Sequence, residues 1–377
     1  MDVITTKPRL SYNAEDRLIF VEWPSAIHET PFDDLRFTFE RATEALPYDS
    51  DAICTKVHMN FSLQADTLTV TPDMVMSLMS MNEISTPPLY PLIGECVFSQ
   101  NRDRLNVKLK SEVKAFPSIK MVIVVVIKEQ TMYNSPPQRS PAFDYFRSQG
   151  KVFSHSKFLQ ERTTRRALGN PVTVAGFTWC HVTDVEYLVW IQHGGRPTNI
   201  DSTDPAHFAS GTLFPNIDMG AVDAMINRGL DIIKDCMVAF SKQVEPSADC
   251  SDLEKTAISF SIKWKQCQKG LMAAMDVTAY DHYLSWAQSS VFQGQKRTPH
   301  ASLPDGPVRG SRAGERAASE ESIERPPTHS RMRTRAAPEN DADIAGQSRG
   351  SGVGGTAVAL RPRVQGRATK NRNERAG

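Results

Sequence analysis

Three kinds of hydrophobic spacing alternate along the first 130 residues, and each predicts a different element. Residues 17–23 form a short apolar run closed by Pro24, the pattern of an edge strand. At Thr30-Pro31-Phe32-Asp33 a hydroxyl, a proline and an acid stand in the order of a helix start, and Phe32, Leu35, Phe39, Ala42 and Leu46 follow as one apolar stripe. Pro47 ends that stripe. Residues 53–63 and 67–79 carry β-branched and polar alternation and read as strands, with Gln64-Ala65-Asp66 as the turn. After Pro87-Pro88 come a strand over 92–99, a helix over 101–116 and a strand over 120–128. The last is apolar on both faces, which predicts a central, buried strand.

Beyond residue 150 the pattern changes. Residues 172–181 and 185–192 read as a hairpin displaying Phe177, Trp179, Tyr187 and Trp190. Met219, Val222, Ile226, Leu230, Ile233, Met237 and Phe240 form a heptad-like stripe over about 218–244. Leu253, Ala257, Phe260, Trp264, Cys267 and Leu271 mark a second helix over 251–291, with Pro246 in the turn. An antiparallel helical hairpin accounts for both, packed on the sheet or forming a homodimer. The expected organisation is an α/β core over 1–150, a β-hairpin extension over 151–215, a helical hairpin over 216–293 and a tail over 294–377.

Composition changes this picture mainly at the tail. The net charge of +1 hides 16 Lys/Arg against 9 Asp/Glu from Gln295 onward, leaving about −6 for the body. The tail has almost no aromatic residue and is rich in Arg, Gly, Ala, Ser and Pro, so its expected state is disordered, either a solvated linker or a polycation touching nucleic acid. Gly-Val-Gly-Gly at 352–355 lacks the lysine and preceding strand of a phosphate loop. No apolar run approaches the roughly 18–20 residues needed to span a bilayer, and the first ten residues lack a signal-peptide core, so the expected location is intracellular, nuclear or cytoplasmic. The six cysteines form no CxxC pair, which points to reduced thiols rather than structural zinc. His155, His181 and His193 have no helical or cysteine-paired spacing for a metal, and no nucleophile elbow is present.

The candidate chemistry lies in the strands. Asp73 follows Pro72 within the second strand of the pair, and Glu95 stands between Ile93 and Val97 in the next strand. A carboxylate costs several kcal/mol to bury without a partner, so acids at strand positions point to a metal, a cation or proton transfer. The bland alternatives are backbone capping for Asp73 and an ion pair with Arg104 or Lys108 for Glu95. Strands lie about 4.8 Å apart, so two such acids on one face can share a divalent ion. Hard oxygen ligands suit Mg2+ or Mn2+.

The order helix, strand, strand, strand, helix, strand, with Pro72-Asp73 and Glu95-Cys96-Val97 on the second and third strands, resembles the core of the PD-(D/E)xK, restriction-endonuclease-like superfamily. The likeness is closest to its Uma-type members, on residues 95–99, 105–109 and 121–127, and the chain is also similar to uncharacterised fungal proteins of this architecture. The resemblance covers about residues 31–129. It implies a mixed sheet flanked by helices and a metal-dependent nuclease with Asp73 and Glu95 as metal ligands. The superfamily lysine belongs two residues after the glutamate, where this chain has Val97. Lys108 on the following helix is the candidate replacement, since at 100° per residue it flanks the buried stripe of Leu105, Leu109, Val113 and Phe116. An ordinary lysine snorkelling from the stripe edge is the alternative. Glu22 and Glu29 are candidate further ligands on the same resemblance. A basic cluster of Arg162, Arg165 and Arg166 beside the hairpin aromatics could hold a nucleic-acid strand, unless the aromatics are simply buried. Two other functions fit the same pattern: a non-catalytic nucleic-acid-binding or interaction protein on this fold, associated with mobile DNA, and a helical scaffold.

Overall fold

A computed structural model of the protein describes residues 9–15, 17–22, 25–82, 86–98 and 102–292. The described residues fall in one compact unit spanning Met1–His300. The basic tail, most of it in a second unit, lies outside them.

The strands are β1 (Arg9–Asn13), β2 (Leu18–Glu22), β3 (Ile53–Met59), β4 (Leu63–Ala65), β5 (Leu68–Val70), β6 (Met74–Ser80), β7 (Leu89–Phe98), β8 (Met121–Glu129), β9 (Val172–Val174), β10 (Phe177–Cys180), β11 (Val182–Ile191) and β12 (Phe208–Phe214). The helices are α1 (Ala26–Glu44), α2 (Arg102–Ala115), α3 (Pro141–Ser148), α4 (His155–Gln160), α5 (Gly220–Val244), α6 (Ser251–Lys255) and α7 (Trp264–Trp286), the last running into a π-helical turn, Ala287–Val291. A six-stranded mixed sheet, order β12-β11-β8-β7-β6-β3, forms the centre. Only the β7–β8 pair is parallel among its ladders, joined by α2 as crossover.

Alternation along the central strands builds two cores. Met121, Ile123, Val125 and Ile127 of β8 pack under α1, α5 and α7, while Val122, Val124 and Val126 face α2 and a second, four-stranded sheet of order β2-β1-β5-β4. Both faces of β8 are therefore dry, the fully apolar central strand its sequence predicts. Gly94 lets α1 approach the sheet: a Cβ there would stand 2.6 Å from the Phe32 ring.

Several elements differ from the sequence expectation. α1 begins at Ala26 rather than at Thr30, with Pro31 inside it, because Ile27 and His28 extend the buried stripe backwards and the Ile27 N–H donates to Thr278 Oγ1 of α7 at 3.2 Å. The single strand expected over 67–79 is two, β5 and β6, in different sheets. Pro72 cannot donate to a ladder, and the Thr71 N–H donates to Ser11 Oγ at 3.2 Å instead. The segment 185–192 pairs with β8 and β12, not with 172–181, where β9 and β10 form their own small sheet.

The helix expected over 251–291 is broken between α6 and α7. Ile258, Phe260 and Ile262 alternate there as an extended stretch, held to α5 by Asn227 Oδ1, which accepts from the Phe260 N–H at 2.7 Å. α7 then packs along α1, with Phe39 and Phe260 rings 5.3 Å apart at the join, so the apolar stripes of α5 and α7 both face the protein's own core and not each other as a hairpin.

Candidate functional site

Asp73 occupies the single position between the end of the Pro72 break and the start of β6, at the end of the sheet where β6 lies beside β7. It is buried, and its Oδ2 accepts the Cys96 N–H of β7 at 2.6 Å. A backbone donor that β6 no longer pairs with is thus satisfied by a carboxylate, a charge-assisted bond that fixes the side chain. Its other oxygen, Oδ1, stands 3.5 Å from Nδ1 of His28, which α1 brings down on that side.

Glu95 faces the opposite core from Cys96, in line with Ile93 and Val97. It is wholly buried. Lys108, from the middle of α2, reaches it with Nζ 2.8 Å from Oε1 and 2.9 Å from Oε2. The lysine does not snorkel from the stripe edge. It is 2% exposed and points inward, and Glu112, one turn further along α2, is also buried. Asp73 is thus tied to β7 at the residue after Glu95 and approached by His28 of α1, while Glu95 itself is paired with the Lys108 ammonium from α2.

The further candidates separate. Glu22 ends β2, and its side chain lies outside the described residues. Glu29 accepts from Asn60 Nδ2 at 3.3 Å near the protein surface. Ser99, the next position on the Glu95 face, lies outside the described residues. Among the described residues, no group of three or more His, Cys, Asp or Glu side chains is placed to hold a metal ion. The donors present, two carboxylates with hard oxygens, fit Mg2+ or Mn2+ in kind. Magnesium commonly takes one or two carboxylates and completes its shell with water and phosphate oxygens.

His28 is absent from the sequence expectation. Its signal is the four-residue spacing to Phe32, hidden when the helix start is placed after it. Two of the three clustered arginines are paired with Asp276 of α7. Arg162 is half-buried and committed: Nη1 donates to Asp276 Oδ1 at 2.9 Å, Nε to Thr164 Oγ1 and Nη2 to the Arg165 and Pro171 carbonyls. Arg166 donates to the other Asp276 oxygen at 2.6 Å. Of the four aromatics, Trp179 and Tyr187 are fully buried and Trp190 nearly so, while Phe177 is half-buried.

Two clefts lie away from this site. One of about 630 Å3 runs between Pro87, Tyr90, Phe116 and Lys120 and the α5 residues Cys236 and Phe240. Another of about 300 Å3 opens beside Glu129. None of the six cysteines is disulfide-bonded. Among the described residues no helix is long and apolar enough to cross a membrane.

No protein-family model matches the chain, and no curated protein matches it. Among solved structures it is similar to a protein from Anabaena variabilis ATCC 29413 described as a "putative nuclease belonging to DUF820". That similarity has a TM-score of 0.24 and 9% identity, and it covers 31% of this chain and 65% of the other, just under two thirds of its length.

Proposed function

We propose that the protein is a metal-dependent nuclease acting on the phosphodiester bonds of nucleic acid, with Asp73 and Glu95 as the metal-binding carboxylates and Lys108 as the cation beside the attacking water. The observation that carries this reading is the Lys108–Glu95 pair: a helix-borne ammonium 2.8 Å from the strand glutamate whose own strand offers Val97 in place of a lysine. A lysine and an acid buried in an apolar layer cost several kcal/mol in desolvation, and an apolar pair would fill the same volume without that cost. A divalent ion at these oxygens would polarise the scissile phosphate and lower the pKa of a bound water. The chain's own contribution is orientation. The Cys96 N–H holds the Asp73 carboxylate, and Glu95 holds the Lys108 ammonium, so neither must be ordered when substrate arrives.

The experiment is cleavage of mixed DNA and RNA by purified protein with Mg2+ or Mn2+, beside Asp73→Asn, Glu95→Gln and Lys108→Arg, each checked for fold by circular dichroism. Cleavage by the wild type, lost by 100-fold or more in the two carboxylate variants, supports the reading. Absence of cleavage with every metal refutes it.

One observation favours a second reading. Asp73, Glu95 and Lys108 are 1%, 0% and 2% exposed, a depth at which a folded, non-catalytic descendant would keep them as internal braces. On that reading the protein binds nucleic acid without cutting it, and wild-type and variant proteins bind with equal affinity.

A further inference from the structure

Glu129 closes β8 on the same alternation as Ile123, Val125 and Ile127, which turns its half-buried side chain toward the β10 side of the sheet. It borders the cleft of about 300 Å3, together with Met132, Tyr133, Phe177, Trp179 and His181. No lysine or arginine lines this cleft. The adjoining Lys128, on the outward alternation, is paired with Asp184 at 3.2 Å. Among the described residues Glu129 has no ion-pair partner within 4 Å.

Every neighbouring group leaves that charge uncompensated. His181 is bonded through Nε2 to the Gly169 carbonyl at 2.9 Å. His282 lies flat on Tyr133, ring centroids 3.8 Å apart at 8°, and its Nδ1 is 2.8 Å from the Trp179 carbonyl. Burial holds the His282 pKa below its ordinary value, so it stacks as a neutral ring. Burial likewise pushes the Cys180 thiol up and keeps it uncharged. Arg162 is committed to Asp276 and backbone carbonyls. The carboxyl of Glu129, with burial as its only perturbation, is pushed up to about 7.

We propose that this cleft binds an alkylammonium group, the head of a small amine or of a lysine side chain, seated on the Glu129 carboxylate with its methylene chain against Tyr133 and Phe177. A half-buried carboxylate without a counter-charge is destabilised, and a cation restores the balance while the ring faces attract it. The volume is at the low end for small-molecule sites and suits a few-carbon amine rather than a nucleotide. A single carboxylate among aromatic rings also lacks the oxygen count for a hard metal ion. This site is independent of the Asp73–Glu95–Lys108 cluster.

The test is titration of the full-length protein with n-butylammonium chloride, n-butanol and acetyl-lysine methylamide, followed by calorimetry and tryptophan fluorescence. Saturable binding of n-butylammonium is expected, weakened at least tenfold in Glu129→Gln. In the wild type it weakens about tenfold from pH 8 to pH 6, as an acid with a pKa near 7 goes from mostly ionised to mostly protonated. A change of charge elsewhere in the cleft would move both proteins, whereas loss of the Glu129 charge moves only the wild type. Binding of acetyl-lysine methylamide at equal or greater affinity identifies a lysine side chain as the source, and binding of n-butylammonium alone identifies a free amine. Equal affinity for n-butanol, or full retention of binding in Glu129→Gln, overturns the proposal. The tenfold change with pH in the wild type needs no variant, and glutamine is isosteric with the protonated acid, so misfolding does not mimic the result.

Discussion

At the scale of single residues, Asp73 and Glu95 stand buried where packing alone would put valine. Asp73 and Glu95 are visible in the sequence because a carboxylate inside an apolar strand needs a partner. Lys108 is visible from its angle on the α2 wheel, although its depth is not: whether a long side chain snorkels or turns inward depends on what the facing strand offers. Replacing Lys108 with methionine leaves Glu95 buried without its cation, and stability should fall by about 3–5 kcal/mol in urea titrations. Adding Glu95→Gln in the same chain should recover much of that loss, and a strictly additive double variant would mean the two side chains are not coupled. Glu129 predicts the opposite sense. Its folded-state pKa, about 7, lies above the ordinary value of 4.5, so the folded protein holds the proton more tightly than the unfolded one. The corresponding stability is fully present below pH 4.5 and is lost as pH rises through 7. With partial access to water, that loss amounts to about 1–2 kcal/mol. Glu129→Gln should therefore flatten the pH dependence of the melting temperature between pH 5 and 8, as followed by calorimetry, and be the more stable protein at pH 8.

At the scale of elements, periodicity is informative where one core dominates and misleading where two meet. β8 and α2 follow their sequence patterns to within a residue or so because each has one environment along its length. The strand expected through Pro72 fails because one run of alternation serves two sheets, and the break is what frees Asp73 to cap Cys96. The helix expected through Ala257 fails because a three- and four-residue spacing coincides with the alternation of Ile258, Phe260 and Ile262, and only the Asn227 bonds to Phe260 decide between them. α1 matters most, since it carries His28 to Asp73 and Phe32 onto the glycine next to Glu95. Gly94→Ala places a methyl group 2.6 Å from Phe32 Cε1 and 3.2 Å from Met74 Cβ. Chemical denaturation should show a loss of about 1–3 kcal/mol, the usual cost of overpacking. Phe32→Leu in the same chain should relieve part of that clash, whereas a loss unchanged by Phe32→Leu would place the strain in the β6–β7 ladder.

At the scale of the molecule, the central sheet joins strands from both sides of residue 150, which no local pattern reveals: β8 is flanked by β7 in parallel and by β11, more than 50 residues later, in antiparallel register. The short helices α3 and α4 have too few residues to impose a period of their own, and only a start such as Ser140-Pro141 announces α3 in the sequence. Charge is distributed on the same scale. The body carries about −6 and two arginines of its 162–166 cluster are paired with Asp276, so the 16 lysines and arginines from Gln295 onward are the part of the chain best suited to phosphate. A protein lacking residues 295–377 should bind single- or double-stranded DNA more weakly at 50 mM salt. Its slope of log affinity against log salt should also move toward zero, by about one unit or slightly less for each phosphate that the tail neutralises in the full-length protein. Fluorescence anisotropy across a salt series measures both quantities. If cleavage at Asp73 and Glu95 survives in the truncated protein while the salt slope collapses, the tail concentrates substrate and the sheet domain performs the chemistry. An unchanged slope would place the phosphate-binding groups on the body, despite its net negative charge.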